Sequence, residues 1–366
     1  MNTMLDYIND EAAMGRRIIA ESANKLESLS SIIDKQFSKI SRVLIIATGS
    51  SYNASLATKL FIEEYTGAAV EIREPFQFSE FEKVPSDVDL VLAVTQRGSS
   101  LSTINAVKKI KIETDIPVLV ITSVLDSPIT KLNVPTIDMN CGLETMPYST
   151  KGVTATMLTL MLIAIEIAEN SNDSFNKKVA INKLKSSIDS FESVIQDTIK
   201  FYEENKKELD DITRYSFIGY GSNLGTAKEA ETKMTETIRV PSQGFELEAY
   251  MHGPIFELKR QYGVMHIHTI NSSNAYKRAR DLENFVDSYC EHNFIITNDI
   301  SRKGQPKVLV VDTFNLEEVF TPLLMVIPFQ VLSYLISVGN DINLEKPVYS
   351  DFRVRLGSKV GEVDKV

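Results

Sequence analysis

Apolar and polar positions along this chain follow two rhythms. Early on, Met14, Ile18 and Ile19, then Leu26, Leu29, Ile32 and Ile33, recur at helical spacing and mark one apolar face. That spacing gives way to an unbroken run, Arg42-Val43-Leu44-Ile45-Ile46-Ala47, which reads as a strand buried on both sides. The run ends in Thr48-Gly49-Ser50-Ser51 and passes into a helix predicted over roughly Tyr52–Tyr65. Further buried strands are predicted at Ala69–Ile72, Val88–Thr95 and Val118–Thr122. Helices are expected near Ser79–Glu82 and Ser100–Ile112, with a long one over about Lys151–Glu169. Strands alternating with helices predict βαβ units and a parallel sheet covered on both faces.

Residues 171–210 are polar, with Ile181, Leu184, Ile188, Phe191 and Ile195 at helical spacing, and read as a helical linker. The opening pattern then returns. Tyr215-Ser216-Phe217-Ile218-Gly219 is again a strand, followed by Tyr220-Gly221-Ser222-Asn223 and a helix expected from about Asn223 to Val240. Setting Gly49 on Gly221 and Ser50 on Ser222 gives an offset of 172 residues. More strands are predicted at Val264–Thr269, Phe294–Thr297 and Val308–Val311. The expected architecture is α/β: two tandem doubly wound parallel-sheet, flavodoxin-like domains from an internal duplication. Their expected bounds are an N-terminal helical segment 1–40, a first domain 41–170, the linker 171–210, a second domain 211–340 and a C-terminal tail 341–366.

Composition narrows the class. The chain has 366 residues, of which 43% are hydrophobic and 24% charged, so a sizeable core is expected and a disordered chain is excluded. Its formal net charge of −10 argues against a nucleic-acid-coating protein, which needs clustered Lys and Arg. Two cysteines, Cys141 and Cys290, are too few for a disulfide framework or a Cys-rich zinc site and fit a reducing cytosol. No secretory leader is read at the N-terminus. The apolar stretches Val153–Ala168 and Val319–Val338 read as buried helices, the first interrupted by Glu166 and the second carrying Pro322, Pro328, Gln330 and Ser333. A cytoplasmic location without membrane or nucleic-acid partners is expected.

Candidate chemistry gathers at the strand ends. A Gly/Ser/Thr-rich turn before a helix leaves backbone N–H groups unpaired at the positive end of the helix dipole. Hydroxyls of Thr48, Ser50 and Ser51 can add donors, making a phosphate cradle without net positive charge. Ordinary N-caps use the same residues, and both readings stay open. A second hydroxyl cluster is Thr95-Gln96-Arg97-Gly98-Ser99-Ser100, and a third is Tyr148-Ser149-Thr150-Lys151. In a parallel sheet such loops share one crevice. The turn Gly219–Gly225 misses dinucleotide spacing by one residue and no Walker lysine follows either turn, so neither nicotinamide nor ATP is expected. No His/Cys/carboxylate cluster has metal-ligand spacing, so no cofactor or metal is expected.

The strings Ala47-Thr48-Gly49-Ser50-Ser51-Tyr52-Asn53-Ala54, Thr95–Ser100, Glu144…Ser149-Thr150-Lys151 and His252-Gly253-Pro254 resemble the sugar isomerase (SIS) family. The likeness is to its tandem-domain group: the isomerase half of glutamine–fructose-6-phosphate aminotransferase and the fructosamine- and glucoselysine-6-phosphate deglycases. The resemblance implies a sugar phosphate held by Thr48, Gly49, Ser50, Ser51, Thr95, Gln96, Ser100 and Ser149, with Arg97 beside them.

Proton transfer between C1 and C2 of an open-chain sugar needs a carboxylate base, a group to help ring opening and donors to the enolate oxygen. Glu229, Lys233 and Glu236 share one helix face by spacing, which alone reads as a solvated Glu–Lys ladder. The resemblance instead implies that Glu236 is the general base, with Lys233 its neighbour. It likewise implies His252 as a ring-opening histidine supplied across the interface of a homodimer or higher homo-oligomer with shared active sites, and Lys346 of the tail as a sugar contact. His266 and His268 read as structural.

There are departures from the family. Arg97 replaces a small hydroxyl residue and is expected to pair the phosphate or a substrate carboxylate, or else to fill the pocket; Ser99 replaces an acidic residue, and Gln243 stands where the aminotransferase has a glutamate. No glutaminase half is read in the chain, so glutamine is not an expected substrate. The expected function is conversion of an amino-sugar 6-phosphate by a deglycase or deaminase. An aldose–ketose isomerase and a non-catalytic sugar-phosphate sensor are the alternatives.

Overall fold

In a computed structural model of the protein, the uniformly apolar runs have become central strands and the amphipathic segments their covering helices. All residues are described except 1, 28, 30–31, 33–39, 143, 314–315, 347, 350, 352–354 and 361–366, so Ile33 lies outside the described residues. The first sheet comprises β1 (Arg42–Ile46), β2 (Ala69–Arg73), β3 (Leu90–Val94), β4 (Val118–Thr122) and β5 (Thr136–Asp138). The second comprises β6 (Tyr215–Gly219), β7 (Ser242–Glu246), β8 (Gly263–His268), β9 (His292–Thr297) and β10 (Val308–Val310).

Both sheets are parallel, in the orders β2-β1-β3-β4-β5 and β7-β6-β8-β9-β10. The register repeats with the order. Ile46 pairs with Ala93 in the first sheet, and Ile218, 172 positions on, pairs with His266 in the second. These are two copies of one doubly wound unit. In each, the winding reverses beside the first strand of the copy, which opens a crevice at the carboxyl ends of β1 and β3, and of β6 and β8.

The chain divides into two compact units. The one around the first sheet holds Ala13–Glu144, Lys151–Asn182 and Pro347–Val366; the other holds Met1–Ala12, Thr145–Thr150 and Lys183–Lys346. In the first unit, Leu44, Ile46, Val91, Ala93 and Val120 are buried with Ile104, Val107 and Ile110 of helix Leu101–Glu113. Helix Ser50–Thr66 packs along helix Lys151–Ser171. In the second unit, Ile218 and Val264 are buried with Leu282 and Val286 of helix Ser273–Asp287. Helix Phe191–Asp211 buries Phe191, Ile195 and Phe201 and packs on helix Pro322–Gly339. Segments Lys151–Ser171 and Glu318–Gly339 are long and apolar enough to span a membrane, yet 89% of each apolar window is buried inside the protein.

Two strands escape the sequence pattern. β5 is only three residues long, and β7 (Ser-Gln-Gly-Phe-Glu) is a polar edge strand without an apolar run. The helix expected to reach Val240 stops at Thr237, where Arg239 turns to φ 64° ahead of Pro241 and β7.

Candidate functional site

The first unit carries the hydroxyl loops. Gly49 takes φ 58°, ψ −137° at the start of helix Ser50–Thr66, and as N-cap it offers no side chain to the helix start. A carbon added at Gly49 would meet nothing within 4 Å, so the cradle is open. Thr48 and Gly49 are exposed, and Ser50 and Ser51 half-buried.

The neighbouring loop follows β3. Thr95 is 8% exposed, and its N–H donates to the Ile121 carbonyl at 3.0 Å. Ser100 caps its own helix, accepting from the Thr103 N–H at 3.5 Å and the Thr103 hydroxyl at 3.0 Å. Arg97 donates to the Glu144 carbonyl at 3.4 Å, and Gln96 to the Glu144 carboxylate at 2.9 Å.

The third expected donor cluster is arranged differently. The N–H groups of Lys151 and Gly152 donate to the buried Glu144 carboxylate at 3.2 and 3.3 Å. A side-chain anion therefore already satisfies that helix start. Ser149 is half-buried and belongs to the second unit.

A contact absent from the sequence reading adds to the first unit. The tail runs antiparallel to the loop after β3, bridging Lys359 to Ser100. The Val360 N–H donates to the Ser99 carbonyl at 2.9 Å, and the Leu101 N–H to the Ser358 carbonyl at 3.2 Å. No sequence motif marks Lys359; only the chain reversal brings it to the loop. Cys141 lies behind, 2.9 Å from the Ser123 hydroxyl, with burial raising the pKa of its thiol.

The second unit carries the carboxylate–lysine chemistry. Helix Asn223–Thr237 lies so close to β7 that a carbon at Gly244 would stand 2.4 Å from the Ala227 carbonyl oxygen; only glycine allows this approach. Glu231 secures it, accepting the Gly244 N–H at 2.7 Å. Pressed against the sheet, the helix buries its Glu/Lys face. Lys233 is fully buried and Glu229 is 1% exposed. Lys233 Nζ lies 2.6 Å from Glu236 Oε2 and 3.6 Å from Glu229 Oε1, while 38% of the Glu236 side chain remains accessible. This is a buried clamp, unlike the solvated ladder that spacing alone suggests. A buried ammonium is tolerated only when paired, and two carboxylates pair it.

His252 is exposed at the end of helix Leu247–Met251, with its N–H on the Ala249 carbonyl at 3.2 Å. The turn that follows presents Phe256, which is 91% exposed. Lys346 is exposed just beyond buried Leu344. Gln243 accepts from Arg214 at 3.0 Å. His266 and His268 are buried side by side, with ring centres 5.3 Å apart. Desolvation pushes the His266 pKa down to about 3 and lowers that of His268 well below the usual range, so both are neutral. Among the described residues no three His, Cys, Asp or Glu side chains gather to hold a metal.

Comparison with known proteins follows the geometry. Residues 36–166 match the SIS domain family. The glutamine–fructose-6-phosphate aminotransferase of Oceanobacillus iheyensis is 25% identical over 356 residues, covering 94% of this chain and 56% of the relative. The chain thus spans little more than half of that relative's length. Among solved structures, a candidate phosphosugar isomerase from Clostridium difficile 630 superposes with a TM-score of 0.85 at 23% identity, covering 98% of this chain and 99% of that one. The C-terminal domain of the glucosamine-fructose-6-phosphate aminotransferase of Francisella tularensis gives 0.82 at 20% identity, covering 94% and 98%. Both likenesses are of fold.

Proposed function

We propose that this chain, whose residues 36–166 form a SIS domain, is a cytoplasmic phosphosugar-processing enzyme acting on an amino-sugar 6-phosphate. The observation that carries this reading is the Lys233–Glu236 pair. A fully buried lysine holds, at 2.6 Å, a carboxylate that remains accessible. An accessible carboxylate in a fixed position is what a general base requires.

In the reaction, the loop residues Thr48, Gly49, Ser50, Ser51, Thr95, Gln96, Ser100 and Ser149 bind the phosphate. Arg97, which donates to the Glu144 carbonyl at 3.4 Å, is the loop's cation and pairs the phosphate. Glu236 removes a proton from C1 of a 1-amino-1-deoxyketose 6-phosphate and returns it to C2. The C1–N bond thereby becomes an imine, which water cleaves to an aldose 6-phosphate and a free amine. Lys233 holds Glu236 and offsets its charge. His252, exposed beside the prominent Phe256, aids ring opening in a partner subunit of a homodimer. Lys346 supplies a tail contact to the sugar.

The test is incubation with a panel of fructosamine 6-phosphates and glucosamine 6-phosphate, assayed for released amine and hexose 6-phosphate. Release that is lost in Glu236→Gln supports the reading. Release that survives that substitution removes Glu236 from the mechanism. Tight sugar-phosphate binding without turnover across the panel replaces the enzyme with a sensor.

A further inference from the structure

The second sheet carries a copy of the cradle, and that copy is filled. Gly49 and Gly221 are equivalent by the 172-residue offset and both take a positive φ, 58° and 56°. Around Gly49 an added carbon finds open space. At Gly221 it finds the Glu318 carboxylate at 3.0 Å. Glu318 begins the short turn Glu318–Phe320 ahead of helix Pro322–Gly339.

The carboxylate sits where an anion would. Its Oε1 accepts from Asn223 Nδ2 at 3.4 Å, with the Ser222 N–H at the helix start turned toward the carboxylate. The turn is locked in place, because Asn223 also donates to the Thr321 hydroxyl at 2.7 Å and that hydroxyl donates to the Glu318 carbonyl at 2.8 Å. The fit is nevertheless incomplete. The Ser222 and Thr269 hydroxyls, both on residues no more than 1% exposed, complete no hydrogen bond of standard geometry, nor does Glu318 Oε2. Burial raises the Glu318 pKa, and the nearby Thr269 side chain acts against that rise. A helix cap explains the carboxylate's approach to the Ser222 N–H but leaves two buried hydroxyls unused, and buried hydroxyls are almost always bonded. A tetrahedral anion offers more acceptor directions than a planar carboxylate held at one oxygen.

We propose that Glu318 is a resident anion that closes the second cradle to phosphate esters, so that each chain takes one sugar phosphate while carrying two cradles. The inference rests on reading the first cradle as a phosphate site. Removing the carboxylate exposes the helix start, Asn223, Ser222 and Thr269 as a second site for a phosphate monoester or inorganic phosphate.

Equilibrium dialysis of the full chain against labelled inorganic phosphate tests this. Glu318→Ala is expected to bind one equivalent more than the wild-type chain, and the added equivalent to vanish when Thr269→Val is combined with it. Glu318→Gln, whose amide fills the same volume, is expected to add none. A folded Glu318→Ala protein with wild-type stoichiometry overturns the proposal, as does an added site indifferent to Thr269. Should Glu318→Ala unfold in chloride buffer, phosphate must restore its folded fraction where chloride of equal ionic strength does not; absence of that rescue also overturns it. A wild-type chain that binds no phosphate counts against the proposed function, whereas the difference between the two chains judges Glu318.

Discussion

Lys233 Nζ lies 2.6 Å from Glu236 Oε2 across a boundary between interior and solvent: the lysine is fully buried and the glutamate 38% exposed. The partners should therefore respond differently to substitution. Glu236→Gln leaves Lys233 paired with Glu229, so stability is expected to change by about 1 kcal/mol or less. Turnover should fall roughly 10²–10⁴-fold, the usual contribution of a positioned proton-transfer group. Lys233→Met strands the buried Glu229 carboxylate and should cost about 3–5 kcal/mol of stability besides activity. Urea unfolding alongside steady-state kinetics separates the two effects.

The open cradle at Gly49 makes a second prediction. Hydrogen bonds to a charged group contribute about 1.5–3 kcal/mol. Ser51→Ala and Thr95→Val are each expected to raise KM for the sugar phosphate by roughly tenfold to a hundredfold, with kcat nearly unchanged. An unaltered KM in both variants removes these loops from substrate binding.

If His252 serves a partner subunit, complementation should reveal it. Glu236→Gln and His252→Asn chains are each expected to be inactive alone. In a mixed dimer one site combines both lesions and the other is intact, so random mixing should recover up to about a quarter of wild-type activity. No recovery from a verified mixed dimer assigns His252 to its own chain or to no role.

The tail contact at Ser99–Leu101 predicts a loss of affinity without a loss of fold. A chain ending before Ser358 no longer offers its carbonyl to the Leu101 N–H or the Val360 N–H to Ser99. Its KM for the sugar phosphate is expected to rise severalfold, with the melting temperature little changed. A wild-type KM in the truncated chain shows the tail to be incidental.

Acid should loosen the second unit. Native His266 stays neutral down to about pH 3, whereas an unfolded histidine gains its proton near 6.5. Between those values the unfolded state binds more protons, so stability falls as pH drops through that window and is flat above it. The slope approaches about 1.4 kcal/mol per pH unit per histidine. His266→Gln should flatten the urea midpoint between pH 6.5 and 4; an unchanged slope places the acid sensitivity elsewhere.

Much of the fold was legible because a parallel strand buried on both faces must be a short, largely apolar run. Arg42–Ile46, Val118–Thr122 and Tyr215–Gly219 declare themselves this way, and the recurrence of Gly-Ser after two of them shows the duplication. Strands β5 and β7 do not, because a short or polar edge strand carries no such run. Residue types and spacing put Glu229, Lys233 and Glu236 on one helix face, yet spacing is blind to what lies opposite that face. Only the close approach at Gly244 decided that Lys233 is buried rather than solvated. The same holds for the two cradles. Gly49-Ser50 and Gly221-Ser222 read alike in sequence, and both glycines take a positive φ. What separates an open cradle from a filled one is Glu318, about a hundred residues away along the chain and brought within 3.0 Å of the position a Gly221 side chain would occupy only by folding. Local sequence fixes conformation through sterics and polarity; occupancy and burial depend on long-range packing, which no local pattern encodes.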